Sequence, residues 1–249
     1  IRDRPSLCFV LIQGNAYGWS STPILAAVAL CAATTVLLVR RERRHAEPII
    51  PRALFQTSQF AAANGVGFLI NLASYGQLFL LSLFLQHARG ADALQTGIQL
   101  VPMLAVFSIG NLISGRVSAR WNVSASLLGG ISLATLMSAV GLAAFSPDIA
   151  YWPFAIVVAL ANLGVGIAVP AMTSVVMQVS GKHHANSAAA ALNANRQSGA
   201  LVGVALMGTV LHLLPDWHAS LPAAYSIIAV AYLVAAMLVW THLRRARNA

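Results

Sequence analysis

Amide and hydroxyl side chains recur at helical spacing along the apolar stretch Phe60–Leu85. They stand 7, 4, 7 and 4 residues apart and comprise Asn64, Asn71, Tyr75, Ser82 and Gln86. At about 100° per residue, these positions fall within a stripe about 60° wide on a helix. Such groups hydrogen-bond a polar ligand or water, whereas a lipid-facing amide finds no partner. We therefore predict that Asn64, Asn71, Tyr75 and Gln86 line one wall of a cavity for a small molecule.

Two further asparagines extend this prediction to other apolar stretches. Asn111 and Asn162 each lie on a polar face of their own stretch and join the cavity candidates. Gln77 is the exception, because it falls on the opposite face of the stretch Phe60–Leu85. An alternative is that each polar residue bonds a neighbouring helix, at about 0.6 kcal/mol apiece. Five residues on one stripe are too many for isolated helix contacts, so we favour the cavity.

The acidic residues all lie outside the apolar stretches. They are Asp3, Glu42, Glu47, Asp92, Asp148 and Asp216. Proton relays and cation sites within membranes rely on buried carboxylates or histidines, so residues of that kind are expected elsewhere in the protein. The sequence also lacks a metal-ligand cluster, a nucleophile–base pair and a phosphate-binding glycine loop. We predict no catalytic residue, no metal and no cofactor, which argues against an enzyme.

Seven uncharged apolar stretches, most of them long enough to cross a bilayer, contain these polar residues. They run roughly Thr22–Val39, Phe60–Leu85, Thr96–Gly115, Ser124–Phe145, Tyr151–Met177, Ser198–Leu214 and Pro222–Trp240. Twelve of the fifteen cationic residues fall in alternate gaps, which therefore share one side. The positive-inside rule assigns that side to the cytoplasm. The sequence thus predicts an all-α polytopic membrane protein.

The composition excludes an ordinary soluble domain. The chain is 58% hydrophobic and 8% charged, against about 25% charged residues in soluble domains. Its net charge of +9 comes from scattered arginines beside the apolar stretches, which orient helices and meet anionic lipid. No basic cluster is interleaved with aromatic residues, as nucleic-acid binding requires. The predicted partner is the lipid bilayer and not a nucleic acid.

A basic run followed by Pro48 and Pro51 divides the chain into unequal parts. We predict the end of a truncated helix and an external loop at 1–21, an extra central transmembrane helix at 22–39 and a basic cytoplasmic linker at 40–59. A six-helix bundle follows at 60–243, with a basic cytoplasmic tail at 244–249. Because the chain opens on a short apolar segment without an initiator methionine, we expect a C-terminal piece of a longer protein.

Glycine and proline mark positions where helices bend or approach one another. Gly164, Gly166 and Pro170 lie in the fifth stretch, where a proline removes one helical hydrogen bond. Gly199 and Gly203 form a GxxxG pair, which permits close approach of two backbones. We predict that these five residues serve helix bending or packing.

Three arginines lie at predicted cytoplasmic ends of helices: Arg116, Arg120 and Arg196. They anchor those ends in the membrane surface or form gate contacts with another bundle. The sequence supports the two interpretations equally.

Several motifs stand in the order and spacing of a known family. They are Leu11-Ile12-Gln13-Gly14 with Gly18-Trp19, Pro48-Ile49-Ile50-Pro51, Phe84-Leu85-Gln86 with Leu100-Val101-Pro102, Gly115-Arg116 with Arg120, and Asn193 through Gly208. Together they resemble the major facilitator superfamily, and more closely its fourteen-span drug:proton antiporter branch. Gln13 replaces an acid usual in that branch, and the Gly115-Arg116 loop also lacks its usual acidic residue.

The resemblance implies a six-helix C-terminal transporter bundle preceded by one extra central helix, in a bacterial inner membrane. It implies proton-coupled export of amphipathic drugs or related organic compounds by alternating access. The proton-carrying carboxylates of that branch belong to its N-terminal half. Two alternatives remain open: export of a metabolite, siderophore or self-made antibiotic, and a non-transporting membrane scaffold.

Overall fold

The computed structural model describes residues 57–243, which form five α-helices and no strand. We number the helices α1 (Ser58–Leu83), α2 (Ala93–Trp121), α3 (Val123–Ala144), α4 (Tyr151–Leu213) and α5 (Trp217–Leu238). One π-helical turn, Phe84–Ala88, extends α1, and another, Val239–Leu243, extends α5. The all-helical prediction is confirmed. The predicted extra helix at 22–39, most of the linker and the tail lie outside the described residues.

Helix α4 is two helices joined at a break. At 63 residues it would measure about 95 Å if straight, far more than the bilayer thickness of about 30 Å. Gly181 interrupts it with φ 68° and ψ 168°, a backbone conformation that is essentially restricted to glycine. We call the two parts α4N (Tyr151–Gly181) and α4C (182–213). The backbone of α4N stays helical through Pro170.

Five helical segments of the described chain are long and apolar enough to cross a membrane. They are Ser58–Ala88, Ala93–Trp121, Val123–Ala144, Tyr151–Gly181 and Trp217–Leu243. The predicted span Ser198–Leu214 is different, because it falls in α4C and the residue that follows it, and α4C is helical but is not among the five. The polar residues Asn193, Arg196 and Gln197 precede its apolar part and reduce the apolar length of this helix.

Contacts between distant residues define the two ends of the helices. At one end the Arg89 guanidinium after α1 reaches the loop before α4, and the Phe84 ring lies 5.5 Å from the Trp217 ring at the start of α5. At the opposite end Asn195 of α4C donates to the backbone oxygen of Asn64 at 2.5 Å. Successive helices are therefore antiparallel. Asp92, Asp148 and Asp216 share the first end, as the alternating charges require.

Helix α4 contacts all four other helices, and glycines permit its closest approaches. A Cβ atom on Gly203 would collide with the Leu72 backbone of α1, including its carbonyl carbon at 2.8 Å. On α4N, a Cβ on Gly164 would collide with the carbonyl oxygen of Gly130 on α3. Bare backbones therefore pack directly against each other at these crossings, as small residues allow between membrane helices.

Aromatic rings fill the core at the Asp148 end. The rings of Phe84 and Phe154 are 5.5 Å apart, and Phe145 lies 4.9 Å from Phe154 and 4.8 Å from Tyr225. Tilted and edge-to-face pairs at such distances are favourable beyond the area that they bury. This cluster joins the ends of α1 and α3 to the first parts of α4N and α5.

Candidate functional site

A cavity of about 170 Å³ lies between α1, α2 and α4N. Its apolar wall consists of Leu78 and Leu81 of α1, Leu100, Met103, Leu104 and Phe107 of α2, and Val165 of α4N. Its polar residues are Ser74, Tyr75, Gln77 and Asn162. None of these residues is charged, so the cavity is suited to a mainly apolar ligand with a few hydrogen-bonding groups.

Gln77 contributes a buried amide to this cavity. Only 2% of its surface is exposed, and its Nε2 donates to the hydroxyl of Tyr225 on α5 at 3.3 Å. Tyr225 is 1% exposed and also packs against the Phe145 ring. Since an unpaired amide is costly in an apolar interior, this bond holds the Gln77 side chain in place.

Asn162 joins α4N to α2 at the same cavity. Its Nδ2 donates to the backbone oxygen of Met103 at 3.2 Å. Because a carbonyl oxygen can only accept a hydrogen bond, this contact fixes which end of the Asn162 amide is nitrogen. The side chain thus has a defined orientation beside the cavity.

A second hydrogen bond between α1 and α5 lies one turn earlier on α1 and two turns later on α5. The hydroxyls of Ser74 and Tyr232 are 2.9 Å apart, and Tyr232 has no exposed surface. Tyr75, by contrast, is 51% exposed at the edge of the cavity. The polar residues Ser74 and Gln77 of the cavity are therefore held by hydrogen bonds to α5, and Tyr75 lies at its exposed edge.

The other residues of the predicted stripe lie elsewhere on α1. Asn64 and Asn71 are buried, and each donates to a carbonyl of its own helix, Phe60 at 3.0 Å and Gly67 at 2.8 Å. Gln86 is exposed in the π-helical turn. Of the four predicted wall residues on α1, the cavity brings in Tyr75.

Sequence reasoning missed Gln77 and Ser74. Both form hydrogen bonds with tyrosines of α5, and Tyr225 and Tyr232 stand seven residues apart on one face of that helix. That spacing is visible in the sequence and could have indicated partners for the polar groups of α1. Asn111 lies one turn beyond the cavity residue Phe107 and donates to its backbone oxygen at 3.1 Å.

The four predicted packing glycines lie at helix crossings. Gly166 of α4N faces Gly110 of α2, whose Cα would be 3.0 Å from an added Cβ, and Gly199 of α4C faces the Phe68 backbone of α1. Pro170 is half-buried, and its backbone oxygen accepts from the Ser174 hydroxyl at 3.1 Å.

The predicted arginines lie at the end opposite Asp148. Arg116 and Arg120 are exposed near the end of α2, just before a tight turn at Asn122 with φ 69°. The stem of Arg196 is half-buried, and its Cγ would lie 3.4 Å from a Cβ on Gly67 of α1. Arg196 therefore packs along α1, whereas the side chains of Arg116 and Arg120 are exposed on the surface of the bundle.

Arg89 connects two loops at the Asp148 end. Its guanidinium donates to the backbone oxygens of Pro147 and Ile149 and lies 5.2 Å from the centre of the Phe84 ring. Burial lowers the pKa of Arg89 from its ordinary value, while the Asp148 carboxylate raises it. Arginine stays protonated in proteins, so the contact is that of a cation with carbonyls and a ring.

Within residues 57–243, no group of three or more His, Cys, Asp or Glu could hold a metal ion. The chemistry available at the cavity is therefore hydrogen bonding and apolar contact, since its lining contains neither a charge nor a nucleophile–base pair.

Comparison with known proteins shows the family to which this chain belongs. The family model described as Major Facilitator Superfamily matches residues 9–204 and again 66–249. The methylenomycin A resistance protein of Bacillus subtilis is 43% identical over 237 residues, covering 95% of this chain and 51% of that protein. The methylenomycin A resistance protein of Streptomyces coelicolor is 38% identical over 240 residues, covering 96% of this chain and 50% of that protein.

A tetracycline resistance determinant of Streptomyces rimosus is 28% identical over 210 residues, covering 82% of this chain and 59% of that protein. The chain thus spans about half the length of the two methylenomycin A resistance proteins. Its apolar helices and its bacterial relatives make it a multi-pass protein of a bacterial membrane. The resemblance seen in the sequence is confirmed: the chain belongs to the Major Facilitator Superfamily.

Proposed function

We propose that this chain forms part of a secondary active transporter that exports small organic compounds by alternating access. The observation that carries the proposal is the uncharged cavity between α1, α2 and α4N, in a chain of this family. Relatives named for resistance to methylenomycin A and tetracycline support export of drug-like compounds. The substrate meets the apolar wall and the polar groups of Tyr75, Gln77 and Asn162.

The proposed energy source is the proton gradient. Asp92, Asp148 and Asp216, the acidic residues of the described chain, all lie between helices and outside the apolar spans. Proton relays in membranes are built from ionisable side chains within spans, and the five described spans contain no carboxylate. The coupling residues are therefore proposed to lie in the half of the transporter that this chain does not span.

Other predicted residues have supporting roles in this proposal. Asn64, Asn71 and Asn111 pack within the bundle through bonds to carbonyls of their own helices, and Gln86 lines the passage between the two halves of the transporter. The glycine crossings and Pro170 let helices shift as the two halves of the transporter rock. Arg116, Arg120 and Arg196 anchor the cytoplasmic ends or meet the other half when the transporter closes.

A flux assay tests this function. The protein produced from its complete gene is reconstituted in proteoliposomes with an imposed pH gradient, and movement of methylenomycin A and tetracycline is followed. Gradient-dependent transport that stops when an ionophore collapses the gradient is expected. Transport that persists without the gradient contradicts proton coupling. Absence of flux for every compound tried contradicts transport and supports a non-transporting scaffold.

A second candidate cargo is a self-made antibiotic. A probable actinorhodin transporter of Streptomyces coelicolor and a tetracenomycin C resistance and export protein of Streptomyces glaucescens are 28% and 25% identical to this chain. Accumulation of an endogenous product in cells that lack the gene would favour this cargo over an external drug.

A further inference from the structure

The two amides beside the cavity both use their nitrogen on protein partners. Gln77 donates to the Tyr225 hydroxyl at 3.3 Å, and Asn162 donates to the Met103 carbonyl at 3.2 Å. Within residues 57–243, no hydrogen bond reaches Oε1 of Gln77 or Oδ1 of Asn162. Each amide therefore offers its carbonyl oxygen as an acceptor at the cavity.

The remaining wall limits which ligand can use these acceptors. Its other residues are leucines, a methionine, a phenylalanine and a valine, with two hydroxyls from Ser74 and Tyr75. A charged ligand would lose its hydration without gaining a counter-ion here, which is unfavourable in an apolar site. The size is that of one ring of a ligand, because an enclosed apolar cavity of about 150 Å³ holds benzene, and this partly open one measures about 170 Å³.

We propose that the cavity selects an uncharged, mainly apolar group about the size of one substituted ring, which donates a hydrogen bond to the amide carbonyl of Gln77, with the carbonyl of Asn162 as the acceptor for a second donor. Tyr225 is a positioning residue, because its hydroxyl orients the Gln77 amide from the neighbouring helix α5 and does not itself line the cavity. This inference rests on the proposed function and names the substrate class.

Four probes of matched shape test the ligand class. They are 4-ethylphenol, its methyl ether 4-ethylanisole, the anion 4-ethylbenzoate and the cation 4-ethylphenyltrimethylammonium. Binding to the protein made from its complete gene is measured by calorimetry in phosphatidylcholine nanodiscs, with empty nanodiscs subtracted. We expect 4-ethylphenol to bind about fivefold more tightly than the ether, the ratio given by one net hydrogen bond. We expect both ions to bind at least about tenfold more weakly than 4-ethylphenol, because neither finds a counter-charge.

Three variants assign the selectivity to particular residues. Gln77→Met keeps the length of the side chain without the amide and is expected to reduce the preference for the phenol while leaving the affinity for the ether unchanged. Tyr225→Phe is expected to reduce the same preference through the loss of orientation. Tyr232→Phe is the matched control, since it removes the other hydrogen bond between α1 and α5, to Ser74. It should keep the full preference.

The outcomes separate this inference from the proposed function. Equal binding of phenol and ether to the unaltered protein, tight binding of either ion, or binding of no probe overturns the inference, even if flux is observed. A preference that survives Gln77→Met, or that Tyr232→Phe abolishes as fully as Tyr225→Phe does, overturns the residue assignment. A clear phenol preference without flux in proteoliposomes supports the inference and contradicts the transport function.

Discussion

Buried polar side chains in membrane helices need partners, because lipid offers none. Helix α1 satisfies this need in two ways. Asn64 and Asn71 bond carbonyls of their own helix, whereas Ser74 and Gln77 bond tyrosines of α5. Both arrangements use only the amide nitrogen or the hydroxyl, and Gln77 differs from Asn64 and Asn71 because it lines the cavity. The position of each residue relative to the cavity therefore separates packing from the proposed role in ligand binding.

Arg89 provides a residue-scale prediction about stability. Replacing it with methionine removes hydrogen bonds to two loop carbonyls and the contact with the Phe84 ring. Hydrogen bonds from a charged group contribute about 1.5–3 kcal/mol, so the free energy of unfolding should fall by about that amount. Chemical denaturation of the purified protein measures the loss. Arg89→Lys keeps the charge without the planar fork and should lie between the two proteins; an unchanged unfolding midpoint for Arg89→Met would refute the role of this contact.

The sequence indicates which residues are polar within a span, but not which partner each residue finds. A stripe of 60° marks one side of α1, yet the cavity takes Tyr75 from that stripe and Gln77 from outside it. The reason is that α1 is surrounded by protein on several sides, with α4 and α5 both in contact. Only the packed helices show that Tyr225 reaches Gln77.

At the scale of helices, glycine sets how closely two backbones approach. A GxxxG pair predicts a close crossing without naming the partner helix. In the structure α1 lies against Gly199 and Gly203, with the backbones of Phe68 and Leu72 in the space where side chains would stand. Because helix backbones cannot shift as flexible side chains do, a substitution there acts on the whole crossing.

Gly203→Ala tests this crossing. The added methyl group collides with the Leu72 backbone, so α1 and α4C must separate, at a cost of about 1–3 kcal/mol. A lower melting temperature by scanning fluorimetry is expected. Gly208→Ala on the same helix is the control, since its nearest new neighbour is Phe79 Cε1 at 3.9 Å, an ordinary contact. Equal melting temperatures for the two variants would contradict direct backbone packing at Gly203.

Gly181→Ala tests the break within α4. No atom lies within 4 Å of the added methyl group, so any effect comes from the backbone, whose φ of 68° disfavours an L side chain. Strain of this kind costs about 1–3 kcal/mol. The SDS concentration that unfolds half the protein should decrease. Gly129→Ala, also without neighbours but inside helix α3, should not decrease it; if both variants behave alike, the break does not depend on glycine.

At the scale of the whole molecule, the charge pattern already separates the two ends of the helices. Asp92, Asp148 and Asp216 precede or follow apolar helices at one end, and Arg116 and Arg120 lie at the other. The energetic reason is that moving a guanidinium across the bilayer is unfavourable. The helical class could therefore be predicted from charge and apolar stretches, and the family from the order of its motifs. The cavity could not, because it depends on side chains from three helices that are far apart in sequence.

Cysteine accessibility tests the threading of this chain most directly. Asp148→Cys and His183→Cys place one exposed thiol at each end of α4N, in a background where Cys8 and Cys31 are replaced by alanine. A membrane-impermeant maleimide should label residue 148 in intact cells and residue 183 only after the membrane is opened. Labelling of both positions, or of neither, in intact cells would place both ends of α4N on one side and contradict the transmembrane arrangement on which the cavity and its proposed transport role depend.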